Sequence, residues 1–165
     1  MLHLIGRDDC IDPQPLAGRE ATVIPDQQRA EPTFLVPGAG PAPNGRRATV
    51  GVVDDDASIL RALRRLLQAA GFSVETFGSA EEVLSSSQLP RIDCLVLDIH
   101  LGDLSGFDVH ERLPDSRQIP IIFITAHDTV LTRERARLAG AVDYLRKPFD
   151  EKALIGAIGR ALART

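Results

Sequence analysis

Five residues that could together bind a divalent cation and a phosphoryl group each follow a short apolar run, although they lie far apart in the chain. They are Asp54, Asp55, Asp98, Thr125 and Lys147. The apolar runs that precede them cover residues 49–53, 92–97, 121–124 and 141–145. Carboxylate oxygens are preferred ligands of Mg²⁺, and a hydroxyl and an ammonium can donate hydrogen bonds to phosphoryl oxygens. The residue types therefore indicate cation-assisted phosphoryl chemistry.

The elements that must position these residues alternate between strand and helix from residue 48 onward. Short β-branched runs separated by amphipathic patterns indicate a parallel sheet that is buried on both faces. We predict strands at residues 49–53, 72–77, 92–97, 121–124 and 142–145. We predict helices at residues 57–70, after Ser79 to 84, after Ser105 to 113, at 129–139 and after Asp150. Ligands bind beyond the carboxyl ends of the strands in such sheets, so we expect the five residues to converge there.

Five strand–helix units indicate an α/β fold, in which a doubly wound, five-stranded parallel sheet lies between two layers of helices. We assign this domain to residues 47–165. Residues 1–46 contain seven of the eleven prolines and show no sustained hydrophobic period. Such a segment cannot bury enough surface to offset its chain entropy. We therefore predict that residues 1–46 form a disordered N-terminal extension.

The composition argues against several classes of function. The formal net charge is −4, and neither the extension nor the domain is basic, which argues against direct nucleic-acid binding. The two cysteines, Cys10 and Cys94, lack the spacing of a zinc site or of a disulfide framework. No apolar run approaches the ~20 residues that span a bilayer, and the N-terminus lacks the apolar core of a signal peptide. We therefore expect a cytoplasmic protein with no membrane contact.

Four stretches of the chain carry a resemblance to a known family. They are Val52-Val-Asp-Asp-Asp56, Leu95-Val-Leu-Asp-Ile-His-Leu-Gly-Asp-Leu-Ser-Gly106, Ile124-Thr-Ala126 and Gly140-Ala-Val-Asp-Tyr-Leu-Arg-Lys-Pro-Phe149. In this order and spacing, the chain resembles the receiver domain of bacterial two-component response regulators, and most of all the nitrogen-fixation regulator type. The resemblance implies the flavodoxin-like (βα)5 fold, a three-layer sandwich with strand order 2-1-3-4-5.

The resemblance implies that Asp98 is the phosphoacceptor, and that a sensor histidine kinase or a phosphotransfer protein supplies the phosphoryl group. It also implies a Mg²⁺ cofactor, with Mn²⁺ as an alternative. Asp55 and Asp98 would be direct ligands of the cation, whereas Asp54 would act through a water molecule. His100 would contribute its backbone carbonyl. Three carboxylates this close repel one another, so we expect the pKa of one of them to be raised when no cation is bound.

The remaining roles implied by the resemblance concern the phosphoryl oxygens and the switch. Lys147 would pair with Asp98 before transfer and with a phosphoryl oxygen afterwards. Thr125 would donate its hydroxyl to another phosphoryl oxygen. In similar receivers this threonine moves toward the phosphoryl group and an aromatic residue, here Tyr144, turns inward. The resemblance also implies that the Lys147–Pro148 peptide bond is cis.

Two histidines and one glycine need separate interpretation. His100 and His127 stand two residues after Asp98 and Thr125, at positions that vary among receivers and can tune dephosphorylation. A zinc site that combines these imidazoles with the aspartates is an alternative. Gly102 stands where receivers often have proline, so we expect the loop around it to be more mobile than in those receivers.

We therefore predict a single-domain response regulator with no fused output domain, which catalyses only its own phosphotransfer and dephosphorylation. Phosphorylation would change a protein–protein contact at the fourth helix, fifth strand and fifth helix, either in a homodimer or with a kinase or phosphotransfer protein. One alternative is a metal-dependent phosphatase with an Asp nucleophile, although the haloacid-dehalogenase family has a second Asp at the position of His100. Another alternative is a receiver-like interaction module that is never phosphorylated.

Overall fold

Five parallel strands form the central sheet of the computed structural model, which describes residues 46–114 and 118–164. They are β1 Thr49–Val53, β2 Ser73–Phe77, β3 Cys94–Asp98, β4 Ile121–Thr125 and β5 Asp143–Arg146. The strands are ordered β2-β1-β3-β4-β5, and each neighbouring pair is parallel. The predicted fold class and strand order are therefore confirmed. The predicted extension lies outside the described residues apart from Arg46.

Five α-helices cover the two faces of this sheet. They are α1 Ala57–Ala69, α2 Ala80–Ser85, α3 Gly106–Arg112, α4 Val130–Leu138 and α5 Glu151–Leu162. Helices α1 and α5 contribute to one hydrophobic core with the strands, and α2, α3 and α4 contribute to a second core. None of the helices in the described ranges is long and apolar enough to cross a membrane.

The alternation of side chains along the strands explains why there are two cores. In β3, Cys94 and Val96 pack with α1 and α5, whereas Leu95 and Leu97 pack with the other three helices. Successive residues of a strand point to opposite faces of the sheet, and all residues of β3 are buried. Because neither face has room for polar side chains, the polar residues of this strand are confined to its ends.

Side-chain caps fix the first turn of each helix, close to the strand ends. Ser79, Ser105 and Asp150 accept backbone hydrogen bonds at the starts of α2, α3 and α5, as predicted. Asp56 caps α1 and Thr129 caps α4 in the same way. Since α1, α3, α4 and α5 begin just beyond the carboxyl edge of the sheet, these caps order the loops that carry the polar residues.

A short hairpin between β3 and α3 is absent from the predicted elements. Its arms, His100–Leu101 and Leu104–Ser105, pair antiparallel. The two-residue turn begins at Gly102 with φ of 71°, and the favoured two-residue hairpin turns require a positive φ at this position. Proline cannot adopt this turn, because its ring holds φ near −65°. Glycine therefore has a specific role in this hairpin turn, and the greater mobility that we expected of the segment stays a prediction.

Strand β3 begins at Cys94, two residues later than predicted, because Asp93 serves to hold the start of β1. One Asp93 carboxylate oxygen accepts a hydrogen bond from the Thr49 N–H at 2.8 Å. The other accepts a hydrogen bond from the Arg46 guanidinium at 2.7 Å. A 3-10 turn, Leu89–Arg91, leads into this segment. The first two residues of the predicted strand, 92 and 93, thus belong to the approach to the strand.

Candidate functional site

The structure brings the five polar residues of the sequence pattern to the carboxyl edge of the sheet. Asp98 and Thr125 end β3 and β4, Asp54 and Asp55 follow β1, and Lys147 follows β5. Oxygen atoms of the three aspartates lie within 4.8 Å of one another. Asp54 and Asp98 are buried, with exposures of 0% and 5%, whereas Asp55 is exposed. A buried carboxylate is costly unless it is paired, so each buried one needs a partner.

The Lys147 ammonium is the partner of both buried carboxylates. Its Nζ donates hydrogen bonds to Asp54 Oδ2 at 2.5 Å and to Asp98 Oδ2 at 2.7 Å. The bond to Asp54 is an addition to the pairing that the sequence suggested. The Lys147–Pro148 peptide bond is cis. Three carboxylates and one ammonium carry a formal charge of −3 + 1 = −2, which a divalent cation would neutralise.

The pKa values of this cluster reflect both burial and pairing. Burial raises the pKa of Asp54 above its ordinary value, while the Lys147 hydrogen bond and the Asp56 N–H act in the opposite direction. The nearby Asp98 charge makes the smallest contribution to this rise, so loss of water matters more than the carboxylate repulsion that we expected. Burial alone would lower the pKa of Lys147, but its hydrogen bonds to Asp54 and Asp98, together with the charges of these carboxylates, outweigh this effect and raise it.

The backbone holds the second oxygen of each buried carboxylate. Asp54 Oδ1 accepts a hydrogen bond from the Asp56 N–H at 2.9 Å, and Asp98 Oδ1 accepts one from the His100 N–H at 3.2 Å. Gly106, the first residue of α3, lies against the main chain of Asp98. A Cβ atom at Gly106 would lie only 2.3 Å from the Asp98 carbonyl oxygen. Asp98 is therefore positioned through its side chain and its main chain.

The Thr125 hydroxyl is buried and lies between two histidines. Thr125 Oγ1 accepts a hydrogen bond from the His127 N–H at 3.1 Å and donates one to the His127 carbonyl at 3.3 Å. His100 Nδ1 lies 3.5 Å from the same hydroxyl. The ring centroids of His100 and His127 are 5.2 Å apart, and both residues are exposed. The two imidazoles therefore flank the hydroxyl on its solvent side.

The three aspartates fit the coordination chemistry of Mg²⁺. Two ligands on opposite sides of an octahedral Mg²⁺ ion lie about 4.2 Å apart, twice the usual metal–oxygen distance. A spread of up to 4.8 Å is therefore compatible with two direct carboxylates and a third that acts through water. Within residues 46–114 and 118–164, this is the one group of three acidic, His or Cys side chains close enough to hold an ion. The group includes neither His100 nor His127, so the structure does not support the alternative of a mixed zinc site.

Tyr144 lies on β5 with its ring half-buried, and its hydroxyl reaches the start of α4. Its Oη is 2.9 Å from Thr132 Oγ1 and 3.3 Å from Asp128 Oδ1. Burial of the phenol raises the pKa of Tyr144. Neither Asp128 nor Thr132 is among the predicted site residues. The Thr129–Thr132 spacing resembles a capping box and marks the start of α4, but no local signal connects it with a tyrosine 12 residues further on.

Comparison with known proteins gives consistent matches over the described domain. A family model for the response regulator receiver domain matches residues 50–159. The response regulator protein TodT of Pseudomonas putida is 40% identical over 135 residues, which are 78% of this chain and 60% of TodT. The solved structure of the response regulator StyR is 46% identical with a TM-score of 0.65, and the match covers 71% of this chain and 60% of StyR. The crystal structure of FixJ-N is 36% identical with a TM-score of 0.65, over 73% of this chain and 97% of FixJ-N. This chain thus spans about three fifths of TodT and of StyR.

Proposed function

The chain belongs to the response regulator receiver domain family, and on that premise we propose that Asp98 accepts a phosphoryl group from a histidine kinase or a phosphotransfer protein. The observation that carries the proposal is the cluster of three carboxylates within 4.8 Å of one another, with Lys147 Nζ 2.7 Å from Asp98. Phosphoryl transfer depends mainly on positioning and on neutralisation of charge. A buried carboxylate held by an ammonium, beside two further carboxylates, meets both requirements.

In the proposed reaction, an Asp98 carboxylate oxygen forms a bond to the phosphorus atom as the phosphorus–nitrogen bond of a phosphohistidine breaks. The electron pair of the broken bond returns to the imidazole nitrogen of the donor, and the product is an aspartyl phosphate. Asp55 and Asp98 would hold Mg²⁺ or Mn²⁺ directly, with Asp54 acting through water and His100 through its backbone carbonyl. When bound, the cation supplies positive charge to the phosphoryl oxygens. Lys147 exchanges its bond to Asp98 for a bond to a phosphoryl oxygen.

The same phosphoryl group on Asp98 would drive the conformational switch. Thr125 gives up its weak bond to the His127 carbonyl and donates its hydroxyl to a phosphoryl oxygen, and Tyr144 turns inward. The side chains of His100 and His127, which lie beside the Thr125 hydroxyl, would influence how fast water removes the phosphoryl group. The signal then leaves through the surface of α4, β5 and α5, by homodimerisation or by binding a kinase or phosphotransfer protein. Support for an interaction at α4 comes from Val130, Leu131 and Leu138, which are apolar yet 83%, 82% and 72% exposed.

The phosphoacceptor is tested by incubation with acetyl phosphate and Mg²⁺, followed by intact mass measurement and borohydride trapping. We expect one phosphoryl group per chain in the native protein and none in Asp98→Ala, although the variant keeps its fold by circular dichroism. Asp103→Asn, which alters an exposed carboxylate in the adjacent hairpin, is the matched control and should be labelled normally. Chelation with EDTA should abolish labelling of the native protein and of Asp103→Asn. Labelling of a neighbouring aspartate in Asp98→Ala would overturn the assignment.

Two further measurements separate the alternatives. Sustained turnover of a phosphomonoester by the native protein would favour a metal-dependent phosphatase over a phosphoacceptor. Failure of the native protein to take up either acetyl phosphate or beryllofluoride in the presence of Mg²⁺ would favour an interaction module that is never phosphorylated. A single label on Asp98, without sustained turnover, supports the receiver function.

A further inference from the structure

The Tyr144 hydroxyl is held by two side chains at the N-terminal end of α4. Its Oη lies 2.9 Å from Thr132 Oγ1 and 3.3 Å from Asp128 Oδ1. The Thr132 hydroxyl also lies 3.0 Å from the Thr129 carbonyl and can donate its proton there. With its proton used in this way, Thr132 Oγ1 can only accept a hydrogen bond from the tyrosine. Both polar neighbours of Oη can therefore act as acceptors for the same phenolic proton.

Asp128 is itself held by Arg133. The Arg133 Nε donates a hydrogen bond to Asp128 Oδ1 at 2.6 Å, and a second guanidinium nitrogen bonds to Oδ2. Only 7% of the Asp128 side chain is exposed, compared with 64% for Arg133. The hydrogen bond from Arg133 is the main reason that the pKa of Asp128 lies below its ordinary value. A paired guanidinium fixes the orientation of a carboxylate, so Asp128 is kept ionised and aimed at Tyr144.

Thr132 connects this contact with the first turn of α4. The Thr129 N–H donates to Thr132 Oγ1 at 3.1 Å, and the Thr132 N–H donates to Thr129 Oγ1 at the same distance. The hydroxyl that receives Tyr144 is thus part of the N-terminal cap of α4. Movement of the Tyr144 hydroxyl away from this cap removes one partner of Thr132 and one of Asp128. The position of the β5 aromatic ring and the start of α4 are therefore linked.

We propose that Asp128, oriented by Arg133, and Thr132 are positioning residues that hold the Tyr144 hydroxyl at the start of α4 and so favour the unphosphorylated state of the switch. This inference rests on the proposed function, because it concerns the residue that turns when Asp98 is phosphorylated. Rotation of the Tyr144 ring away from the start of α4 has to break both contacts of Oη, which lowers the population of the state that binds the phosphoryl group. The apparent affinity for a phosphoryl analogue falls in proportion to that population.

The magnitude follows from the strength of the hydrogen bonds. Loss of one hydrogen bond of ordinary strength shifts a two-state equilibrium about five-fold. Beryllofluoride with Mg²⁺ is the probe, because it stands in for the phosphoryl group on an aspartate. We expect the dissociation constant of beryllofluoride to fall about five-fold in Asp128→Ala and in Thr132→Val, because each variant lacks one of the two contacts that hold Tyr144 at the start of α4. A rise in either variant would overturn the proposal. Thr132→Ser keeps the hydroxyl and should restore the native value.

Two controls separate this role from general stabilisation of α4. Glu134→Gln breaks the exposed ion pair between Glu134 and Arg137 on the same helix, and it should leave beryllofluoride affinity unchanged. Asp128→Ala should add nothing in a Tyr144→Phe background, because the phenylalanine lacks the hydroxyl on which Asp128 acts. A full additional effect in that background would overturn the proposal. If Asp128→Ala fails to fold, Arg133→Gln removes only the orienting guanidinium and is used in its place.

A second readout is independent of phosphorylation. Tyr144 is the only tyrosine in the chain, so replacement of tyrosine by 3-fluorotyrosine gives a fluorine resonance from this ring alone. The resonance should move between the native protein and Asp128→Ala without beryllofluoride, and an unmoved resonance would overturn the positioning role. Equal beryllofluoride affinity in native protein, Asp128→Ala and Thr132→Val would also overturn it, while leaving the phosphoacceptor intact. No beryllofluoride binding by any of these proteins would instead refute the proposed function.

Discussion

Substitution of Gly106 by alanine is predicted to destabilise the domain and to displace Asp98, whereas the same substitution at Gly156 is predicted to stabilise it. Gly106 is the first residue of α3, and its N–H donates to the Ile99 carbonyl at 3.0 Å. The added methyl group would therefore enter the turn that follows the phosphoacceptor. Gly156 lies in the middle of α5, where alanine lowers the conformational entropy cost of the helix.

The magnitudes differ because the neighbouring atoms differ. At Gly106 the new Cβ would lie 2.3 Å from the Asp98 carbonyl oxygen and 3.1 Å from Leu97 Cγ, and Cβ contacts below 3.0 Å essentially never occur. The backbone must therefore separate by at least 3.0 − 2.3 = 0.7 Å. Overpacking of this kind costs about 1–3 kcal/mol. At Gly156 the nearest atom is the flexible end of Arg160, 3.5 Å away, and the gain is about 0.5–1 kcal/mol.

A shift of this size at Asp98 also affects chemistry, because a misplacement of about 1 Å can cost on the order of 10²-fold in rate. Urea unfolding followed by circular dichroism gives the free energies of unfolding, and the rate of labelling by acetyl phosphate gives the chemical effect. We expect Gly106→Ala to lose stability and to be labelled at least about ten-fold more slowly. Gly156→Ala should gain stability and be labelled at the native rate. If Gly106→Ala has the same urea midpoint of unfolding as the native protein and is labelled at the native rate, the reasoning about close packing behind Asp98 is wrong.

Two other predictions concern the core and a helix cap. Cys94 is fully buried, and burial raises its pKa to about 12. In the variant Cys10→Ser, where Cys94 is the remaining thiol, we therefore expect no reaction with a thiol reagent until urea unfolds the domain. Fast reaction of the folded variant would contradict this. Backbone hydrogen bonds from Ser58 and Ile59 lower the pKa of Asp56 below its value in the unfolded chain, about 3.8. The ionised Asp56 cap therefore stabilises the fold above pH 3.8. This stabilisation is lost as the pH falls through the pKa of Asp56 in the folded state. The difference in free energy of unfolding between native protein and Asp56→Ala should therefore be larger near pH 6 than near pH 3, and a difference that grows on acidification would refute the assignment of the cap.

The strands and helices were largely predictable because their signals are local. A parallel strand that is buried on both faces must be apolar throughout, and this requirement made β1 and β4 recognisable within one residue. The caps Ser79, Ser105 and Asp150 were recognisable because a side chain binds N–H groups only two or three residues away. The hairpin at Gly102 was missed because strands of two residues have no period to detect. The late start of β3 was missed because Asp93 is engaged by Arg46, 47 residues earlier.

The same division applies to the candidate site. The sequence by itself identified Asp54, Asp55, Asp98, Thr125 and Lys147, because each stands within two residues of the end of an apolar run and the ends of parallel strands meet at one edge. Only the tertiary structure decided how they are paired. Lys147 binds Asp54 and Asp98, which lie 93 and 49 residues earlier in the chain. These side chains come within hydrogen-bond distance only because β1, β3 and β5 lie in one sheet.

Only the tertiary structure, likewise, placed the Tyr144 hydroxyl against Asp128 and Thr132. A tyrosine in the fifth strand is visible in the sequence, but the direction of its ring depends on how α4 packs beside the strand. Side-chain hydrogen bonds between separate elements need correct distances and angles, and a pattern of residue types contains neither. The residues with chemical potential are thus a property of the sequence, whereas the contacts that set their charge state and their mobility are a property of the fold.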